Sequence, residues 1–241
     1  MAASLRDIPT IDSAELKELT DKLITACHIL DHEGVTDGYG HVGARVPGAD
    51  AFITIANISP GAVTRERLIM QDFAGNHLDG AATPPNEWPI HACIFKARPE
   101  IVSVAHTHSK WSTIFSVLPI KLKPLHHYGK FLSADGPPVY QGVGLVRTLE
   151  RGDDLAAALG NGPAVLMRAH GDAVVGESIE QMIERTTRLA MLGEWNHLAL
   201  LHGQPKYLSA EELEVYNADQ RFPLRGWEYF VGRLSRTRNQ L

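Results

Sequence analysis

Apolar residues recur every three or four positions in several segments of the chain, and this spacing predicts helices. The first helix is expected to follow Asp12, which forms a capping-box pattern with Glu15, and to end at Gly34. Two further helices with a clear apolar stripe are expected from Ile179 to Leu201 and over residues 209–220. Shorter helices are predicted for segments 64–70, 86–98, 110–118 and 152–160.

Runs of branched apolar residues bounded by turn residues predict strands. They occupy segments 41–46, 51–56, 101–108, 163–170 and 173–178, and a small hairpin at 71–80 turns at Gly75 and Asn76. Short turns join several neighbouring strands, which makes those strands antiparallel. The pattern therefore predicts an α/β fold of the α+β type, in which helices cover a largely antiparallel sheet. No linker is visible, so residues 1–241 are expected to form a single domain.

Composition and charge narrow the range of partners and locations. A net charge of -5 gives no electrostatic reason to expect a nucleic acid or an anionic membrane as partner. The N-terminus lacks the apolar core of a signal peptide, and no run reaches the length of a membrane span. Cys27 and Cys93 are far apart and are expected to be reduced, buried thiols. These features favour a cytoplasmic protein.

Histidine is the unusual component, with twelve residues in the chain. His106 and His108 stand two positions apart at the end of a predicted strand, so both rings point to the same face. His170 ends another predicted strand, just before a Gly-Asp turn. Three imidazoles suit zinc, manganese or ferrous iron and leave coordination positions open, as in a catalytic site. Each histidine is also compatible with ordinary packing. His126 and His127 form a poorer pair, because adjacent strand residues face opposite ways.

A carboxylate precedes the strand that carries His106. Glu87 is predicted to lie in the first turn of a helix, where the positive end of the helix dipole favours the ionised form. It is a candidate fourth metal ligand, a general base, or both. His91 follows one helical turn later and is a possible contact of Glu87, or else a packing residue. Alternatively, Glu87 is an ordinary acidic residue at a helix start.

Four sequence blocks together resemble the class II aldolase/adducin family. They are "PPNEWPIHACIFKARPEIVSVAHTHS", "LMRAHG", "DGYGHVGARVP" and "ISPG", and the resemblance extends from Glu15 to Leu208. It implies a three-layer α/β/α fold with a largely antiparallel central sheet. It also implies a cytoplasmic homotetramer with active sites at the subunit interfaces.

The resemblance assigns roles to individual residues of this chain. It implies one divalent metal ion per subunit, held by His106, His108 and His170 with Glu87, and makes Glu87 the catalytic acid or base. Family members usually receive a tyrosine or a histidine from the neighbouring subunit, and the candidates here are Tyr128, His127 and Tyr229. The candidate substrate-binding residues are His41, Arg45, Ser59, Gly61 and Asn86.

Departures from the family pattern bear on the substrate. Sugar-phosphate members typically hold phosphate with an asparagine and a serine in the first loop and two serines before the acid. Here the first loop reads Gly40-His41-Val42-Gly43, and Pro85-Asn86 precede the acid. A carboxylate needs fewer donors than a phosphate, and His41 or Arg45 can supply them. The aromatic residues suit a flat substrate, although core packing explains them equally well: Trp88, Trp111, Tyr128 and Phe131.

The sequence therefore predicts a metal-dependent carbon–carbon lyase. The preferred activity is decarboxylation of a non-phosphorylated, hydroxylated aromatic or keto carboxylic acid, as in the dihydroxyphthalate decarboxylase-type members. An aldolase or epimerase acting on a sugar phosphate is the first alternative. An iron-dependent oxygenase and a non-catalytic, adducin-like scaffold are the others, and the complete set of histidines and acid argues against the scaffold.

Overall fold

A computed structural model describes residues 8–218 and 225–238. The helices are α1 (Lys17–His32), α2 (Pro89–Ala97), α3 (Lys110–Val117), α4 (Leu149–Leu159), α5 (Ile179–His202), α6 (Ala210–Asn217) and α7 (Arg225–Arg238). The strands are β1 (His41–Arg45), β2 (Ala51–Ile55), β3 (Leu68–Asp72), β4 (His77–Asp79), β5 (Ser103–Thr107), β6 (Val139–Tyr140), β7 (Ala164–Met167) and β8 (Gly171–Gly176).

The strands form one eight-stranded sheet in the order β4-β3-β2-β1-β5-β8-β7-β6. Every neighbouring pair is antiparallel except β6 and β7. At the centre, β5 lies between β1 and β8, so that His106 is opposite His41 on one side and Ala173 on the other. The predicted α/β fold with a largely antiparallel sheet is confirmed.

Alternate residues of the strands feed separate cores on the two faces of the sheet. On β2, Ile53 packs into a first core with Leu23 of α1 and Ile183 of α5. Its neighbour Phe52 faces the other way and packs into a second core with Phe95 of α2. Because adjacent strand residues point to opposite faces, the sheet is the middle of three layers. Full burial of each such side chain contributes about 1.5–3 kcal/mol to folding.

The start of the first helix differs from the prediction. Residues 11–16 form turns, and α1 begins at Lys17, so the capping box of Asp12 and Glu15 does not form. Tertiary contacts explain the difference, because Ile11 and Leu16 are both buried in the first core. The backbone N–H of Ile11 donates to the Asp79 carboxylate at 2.7 Å. The end at Gly34 is as predicted, and this residue has a left-handed φ of 66°.

Segment 64–70 is not the helix that was predicted. It contains a single 3₁₀ turn at Arg65–Arg67 and then enters β3. Leu68, Ile69 and Met70 are buried and pair with β2, so sheet pairing prevails over the weak helical pattern. The predicted hairpin at 71–80 is confirmed by β3 and β4.

Other elements agree with the prediction except at their boundaries. The helix expected from residue 86 begins only at Pro89, a favourable first helical position for proline. The helix predicted over 209–220 is α6, and positions 219–220 lie outside the described residues. The sequence pattern did not identify α7, whose Phe230 is buried in the first core.

Two predictions about composition are tested by the fold. Cys27 and Cys93 are buried and form no disulfide, as expected. Within the described part of the chain, no helix combines the length and the apolar character that crossing a membrane requires.

The close approach of β8 to β5 generates a stability prediction. A Cβ atom at Gly171, the residue after His170, would lie 2.0 Å from the carbonyl oxygen of Thr107. Gly171→Ala should therefore force the two strands apart and lower the free energy of unfolding by about 1–3 kcal/mol. Gly38→Ala is the matched control, since nothing lies within 4 Å of a Cβ there. Urea unfolding followed by tryptophan fluorescence measures both variants, and equal stabilities would contradict the prediction.

Candidate metal centre

Four side chains from three separate parts of the chain meet at one end of the central strands. His106 lies in β5 and His108 just beyond its end, while His170 lies in the turn between β7 and β8. Thr107 is paired with Asp172, so the antiparallel register brings His170 beside the end of β5. Glu87 comes from the turn that precedes α2.

The potential ligand atoms of these four residues all lie within 4.8 Å of one another. Oε2 of Glu87 is 3.4 Å from Nε2 of His170 and 3.7 Å from Nε2 of His106. The ring centroid of His106 is 5.0 Å from that of His108 and 4.8 Å from that of His170. The structure thus brings together the three histidines and the acid that the sequence singled out.

The hydrogen bonding of the cluster fits a divalent cation. The Nε2 atoms of His106, His108 and His170 are buried and have no hydrogen-bond partner among the described residues. Leaving a buried polar group without a partner costs about 1–3 kcal/mol. Three imidazole nitrogens and one carboxylate oxygen are ligands suited to zinc, manganese or iron, and a bound cation satisfies all of them.

A second layer of contacts orients the ligands. Nδ1 of His106 donates a hydrogen bond to the backbone carbonyl of Asp172 at 2.8 Å, which leaves the Nε2 lone pair for a cation. The buried Asp172 carboxylate accepts hydrogen bonds from Thr107 and Ser112. Burial raises the pKa of Asp172 to about 6, against the effect of these hydrogen bonds. No sequence signal assigned this role to Asp172, although the Gly-Asp turn after His170 marks its position.

Electrostatics favour the protonation states that a cation requires. Burial lowers the pKa of His106 to about 4 and also lowers the pKa of His108. Burial opposes ionisation of Glu87, but the contacts with His170 and His106 and the N–H of Val146 outweigh it and lower its pKa. Near pH 7 the carboxylate is therefore ionised, and the His106 and His108 imidazoles are neutral ligands.

The environment of Glu87 corrects one prediction. Glu87 lies in the turn before α2 rather than in the first turn of that helix. Its Oε1 accepts a hydrogen bond of 2.6 Å from the backbone N–H of Val146, a residue far away in the sequence. This contact, not the helix dipole, holds the carboxylate in place. His91 does not contact Glu87 as envisaged, but bonds to His41 at 2.6 Å.

The predicted substrate-binding residues are only partly brought to the cluster. His41 is buried, and its ring centroid is 5.0 Å from that of His106. Asn86 is exposed and adjoins Glu87. Ser59 and Gly61 lie at a 3₁₀ turn after β2, and Gly61 packs against Asp31 of α1.

Arg45 is not brought to the cluster. His41 and Arg45 stand at opposite ends of β1, about 13 Å apart at a rise of about 3.3 Å per residue. The Arg45 guanidinium donates to the carbonyl oxygens of Ile101 at 2.9 Å, of Arg98 at 3.1 Å, and of Phe95. These backbone contacts occupy the side chain, so the structure gives no support to Arg45 as an anion partner for the substrate.

The aromatic and interface candidates lie outside the group of four ligand atoms. Tyr128 lies under the Arg188 guanidinium, 3.7 Å from the ring centroid, and His127 beside it is exposed. Tyr229 is half exposed on α7. Three other aromatic residues make packing contacts: Trp88 with the second core, Trp111 with His197, and Phe131 with a third core around Phe115.

The chain is similar in sequence to known proteins. The family model described as Class II Aldolase and Adducin N-terminal domain matches residues 21–196. A 3,4-dihydroxyphthalate decarboxylase from Terrabacter sp. is 29% identical over 78% of this chain and 84% of its own length. An L-fuculose phosphate aldolase from Methanococcus vannielii is 28% identical over 77% of this chain and 97% of its own length.

The fold is also shared with solved structures. An aldolase II superfamily protein from Pseudomonas syringae superimposes with a TM-score of 0.82 at 24% identity, covering 98% of both chains. At this level of identity, the similarity establishes the three-layer fold.

The geometry of the cluster generates a prediction about metal content. Protein purified in the presence of zinc should contain about one divalent ion per chain, because three nitrogen ligands converge on one point. His106→Ala and His170→Ala should each lose most of this metal, as measured by inductively coupled plasma mass spectrometry. His197→Ala is the control and should retain the metal, because the His197 ring lies against Trp111 and is not part of the cluster. Full occupancy in the two cluster variants would contradict the assignment.

Proposed function

The chain belongs to the class II aldolase and adducin family, and we propose that it is a metal-dependent lyase that decarboxylates a non-phosphorylated, hydroxylated aromatic or keto acid. Its relatives in this family include decarboxylases and aldolases, which are lyases. The observation that carries the proposal is the convergence of Glu87 and three unpartnered histidine nitrogens on one point.

In this proposal His106, His108 and His170, with Glu87, hold one divalent ion per subunit, which is zinc, manganese or iron. Such a cation, when bound, supplies Lewis-acid stabilisation of the negative charge that develops on a substrate oxygen. The three histidines leave coordination positions open for a small carboxylic acid with a neighbouring hydroxyl or keto oxygen.

Glu87 is the proposed acid or base. Its Oε1 is fixed by the Val146 N–H, while Oε2 faces His170 and His106. One oxygen is thus anchored, and the other serves in turn as a ligand of the cation and as the partner of the reacting groups. When the carbon–carbon bond to the carboxylate breaks, carbon dioxide leaves with no proton, and the remaining carbon must gain one. Because the Glu87 carboxylate is ionised near pH 7, it first takes a proton from the substrate hydroxyl or from water and then delivers that proton to the carbon, directly or through a water molecule.

The residues around the cluster favour a carboxylate over a phosphate. Pro85 has no N–H to donate, and Gly43 has no hydroxyl, so two donor positions of the sugar-phosphate pattern are lost. His41 and the exposed Asn86 are the proposed substrate contacts nearest to the cluster. Ser59 and Gly61 are proposed as more distant contacts.

A sugar-phosphate aldolase or epimerase is the second candidate. The similarity to the L-fuculose phosphate aldolase favours this second candidate, because the match covers 97% of the length of that relative. The oxygenase alternative finds no support, because the relatives described above are a decarboxylase and an aldolase.

We further propose that the chain is a single-domain, cytoplasmic protein that assembles as a homotetramer. The two free cysteines fit a reducing compartment. The active sites then lie at subunit interfaces, and Tyr128, His127 or Tyr229 of a neighbouring subunit completes each one. Mass photometry tests the assembly, and a monomeric particle would contradict it.

The substrate class is tested with two compounds and two readouts. Metal-loaded protein should release carbon dioxide from 3,4-dihydroxyphthalate and should form no aldehyde from L-fuculose 1-phosphate, because the phosphate donors are missing. Carbon dioxide is measured with a coupled carboxylase assay and aldehyde with an alcohol dehydrogenase. Aldehyde formation without release of carbon dioxide would instead favour the sugar-phosphate aldolase.

The role of Glu87 is tested by Glu87→Gln, which keeps the shape of the side chain and removes its ability to carry a proton. The variant should retain metal through the three histidines while kcat falls by about 10²–10⁴-fold. Glu66→Gln is the matched control, since Glu66 is exposed in a 3₁₀ turn. Unchanged turnover in Glu87→Gln would remove Glu87 from the mechanism.

A further inference from the structure

Two further imidazoles, those of His41 and His91, lie next to the metal-ligand cluster. Nε2 of His91 is 2.6 Å from Nδ1 of His41, and both residues are buried. His41 is paired with His106 across β1 and β5, and their ring centroids are 5.0 Å apart. The hydrogen-bonded pair therefore continues from the cluster into the core. Neither the metal ligation nor the proton transfer described above uses His91.

The surroundings of His91 determine which imidazole donates. Nδ1 of His91 is buried and has no hydrogen-bond partner among the described residues. If His41 donated to His91, the single proton of a neutral His91 would lie on Nδ1 as an unpaired buried N–H, a rare and costly arrangement. If His91 donates from Nε2, only a lone pair is left without a partner. Burial lowers the pKa of His91 to about 3, so the ring is neutral near pH 7.

The direction of this hydrogen bond sets the proton on the other ring. Because Nδ1 of His41 accepts from His91, a neutral His41 carries its proton on Nε2. Among the described residues, the His41 ring hydrogen-bonds through Nδ1, to His91, and not through Nε2. It is a donor on the side of the ring away from His91, in a residue that adjoins the metal-ligand cluster.

We propose that His91 is a positioning residue that holds His41 as the Nε2–H tautomer, so that His41 donates a hydrogen bond to a substrate oxygen beside the cation. This inference rests on the proposed function for the identity of the substrate as a hydroxylated carboxylic acid. It adds a specificity element to that site, because a neutral N–H donor recognises a carboxylate or carbonyl oxygen.

Gly43 makes the pair possible. A Cβ atom at this position would lie 2.7 Å from Nδ1 and 3.0 Å from Cγ of His91, closer than such atoms approach. Any larger residue at position 43 therefore displaces the His91 ring from His41. Gly43 therefore has two effects. It provides no hydroxyl for a phosphate, and it leaves the room that the His91 ring needs beside His41.

Three variants test the proposal by different routes. His91→Phe keeps a flat ring but removes the donor, and Gly43→Ala displaces His91 while leaving both histidines in the chain. His91→Gln retains an N–H donor and is the conservative rescue. His197→Phe is the control, because the His197 ring contacts Trp111 and His197 is not one of the four metal-ligand residues. Salicylate, which carries a carboxylate and a neighbouring hydroxyl, is the binding probe.

Isothermal titration of zinc-loaded protein with salicylate gives the first readout. His91→Phe and Gly43→Ala should weaken binding by about tenfold, the size of one hydrogen bond to a charged oxygen. His91→Gln and His197→Phe should stay within about threefold, within the spread of a well-tolerated substitution. Zinc content should be unchanged throughout. Equal salicylate affinity in wild type and both disrupting variants, or no salicylate binding by the wild type, would overturn the proposal.

Nitrogen-15 NMR of histidine-labelled protein gives a readout that a general loss of stability does not imitate. His41 should be the Nε2–H tautomer in the wild type and in His91→Gln, and should lose this preference in His91→Phe. Gly43→Ala decides if His91→Phe fails to fold. An Nδ1–H tautomer of His41 in the wild type would overturn the proposal but leave the lyase assignment intact. Expected tautomer and binding results without decarboxylation would overturn the proposed reaction instead.

Discussion

The structure depends most on the requirement to satisfy three buried histidine nitrogens beside an ionised carboxylate. A fold that merely needed packing would place apolar side chains at the end of β5, whereas this one places Nε2 atoms that have no partner among the described residues. A bound divalent cation would remove this cost, since the carboxylate supplies charge and the imidazoles supply lone pairs. The pairing of β5 with β8 brings His106 and His170 together at one end of the sheet.

Successive layers of contacts support this arrangement. The Asp172 carbonyl fixes the tautomer of His106, and the Val146 N–H anchors one oxygen of Glu87. On the other side of His106, the His41 and His91 pair extends into the core. Residues that are far apart in the sequence therefore contact the same cluster of metal-ligand side chains. The chain's membership of the class II aldolase and adducin family, and its similarity to a decarboxylase, are consistent with a reaction taking place at this cluster.

Local sequence signals predicted the parts of the site that depend on strand geometry. The two-residue spacing of His106 and His108 fixes a common face whatever surrounds the strand. The short turns between strands likewise predicted the antiparallel sheet. Glu87 was identified correctly as a member of the group, but for the wrong local reason. Its anchor, Val146, is a backbone group far along the chain, and no spacing rule reveals such a partner.

Non-local contacts also explain the elements that the sequence analysis missed. The Asp12 capping box fails because burial of Ile11 and Leu16 positions that turn, and segment 64–70 becomes a strand because β2 offers it a partner. The pairing of His91 with His41 depends on the space at Gly43, which only the folded sheet defines.

X-ray absorption spectroscopy of the zinc-loaded protein is the decisive experiment for the metal centre. The spectrum should show about three imidazole nitrogens at about 2.0–2.1 Å from zinc. A spectrum with oxygen ligands alone would contradict this prediction.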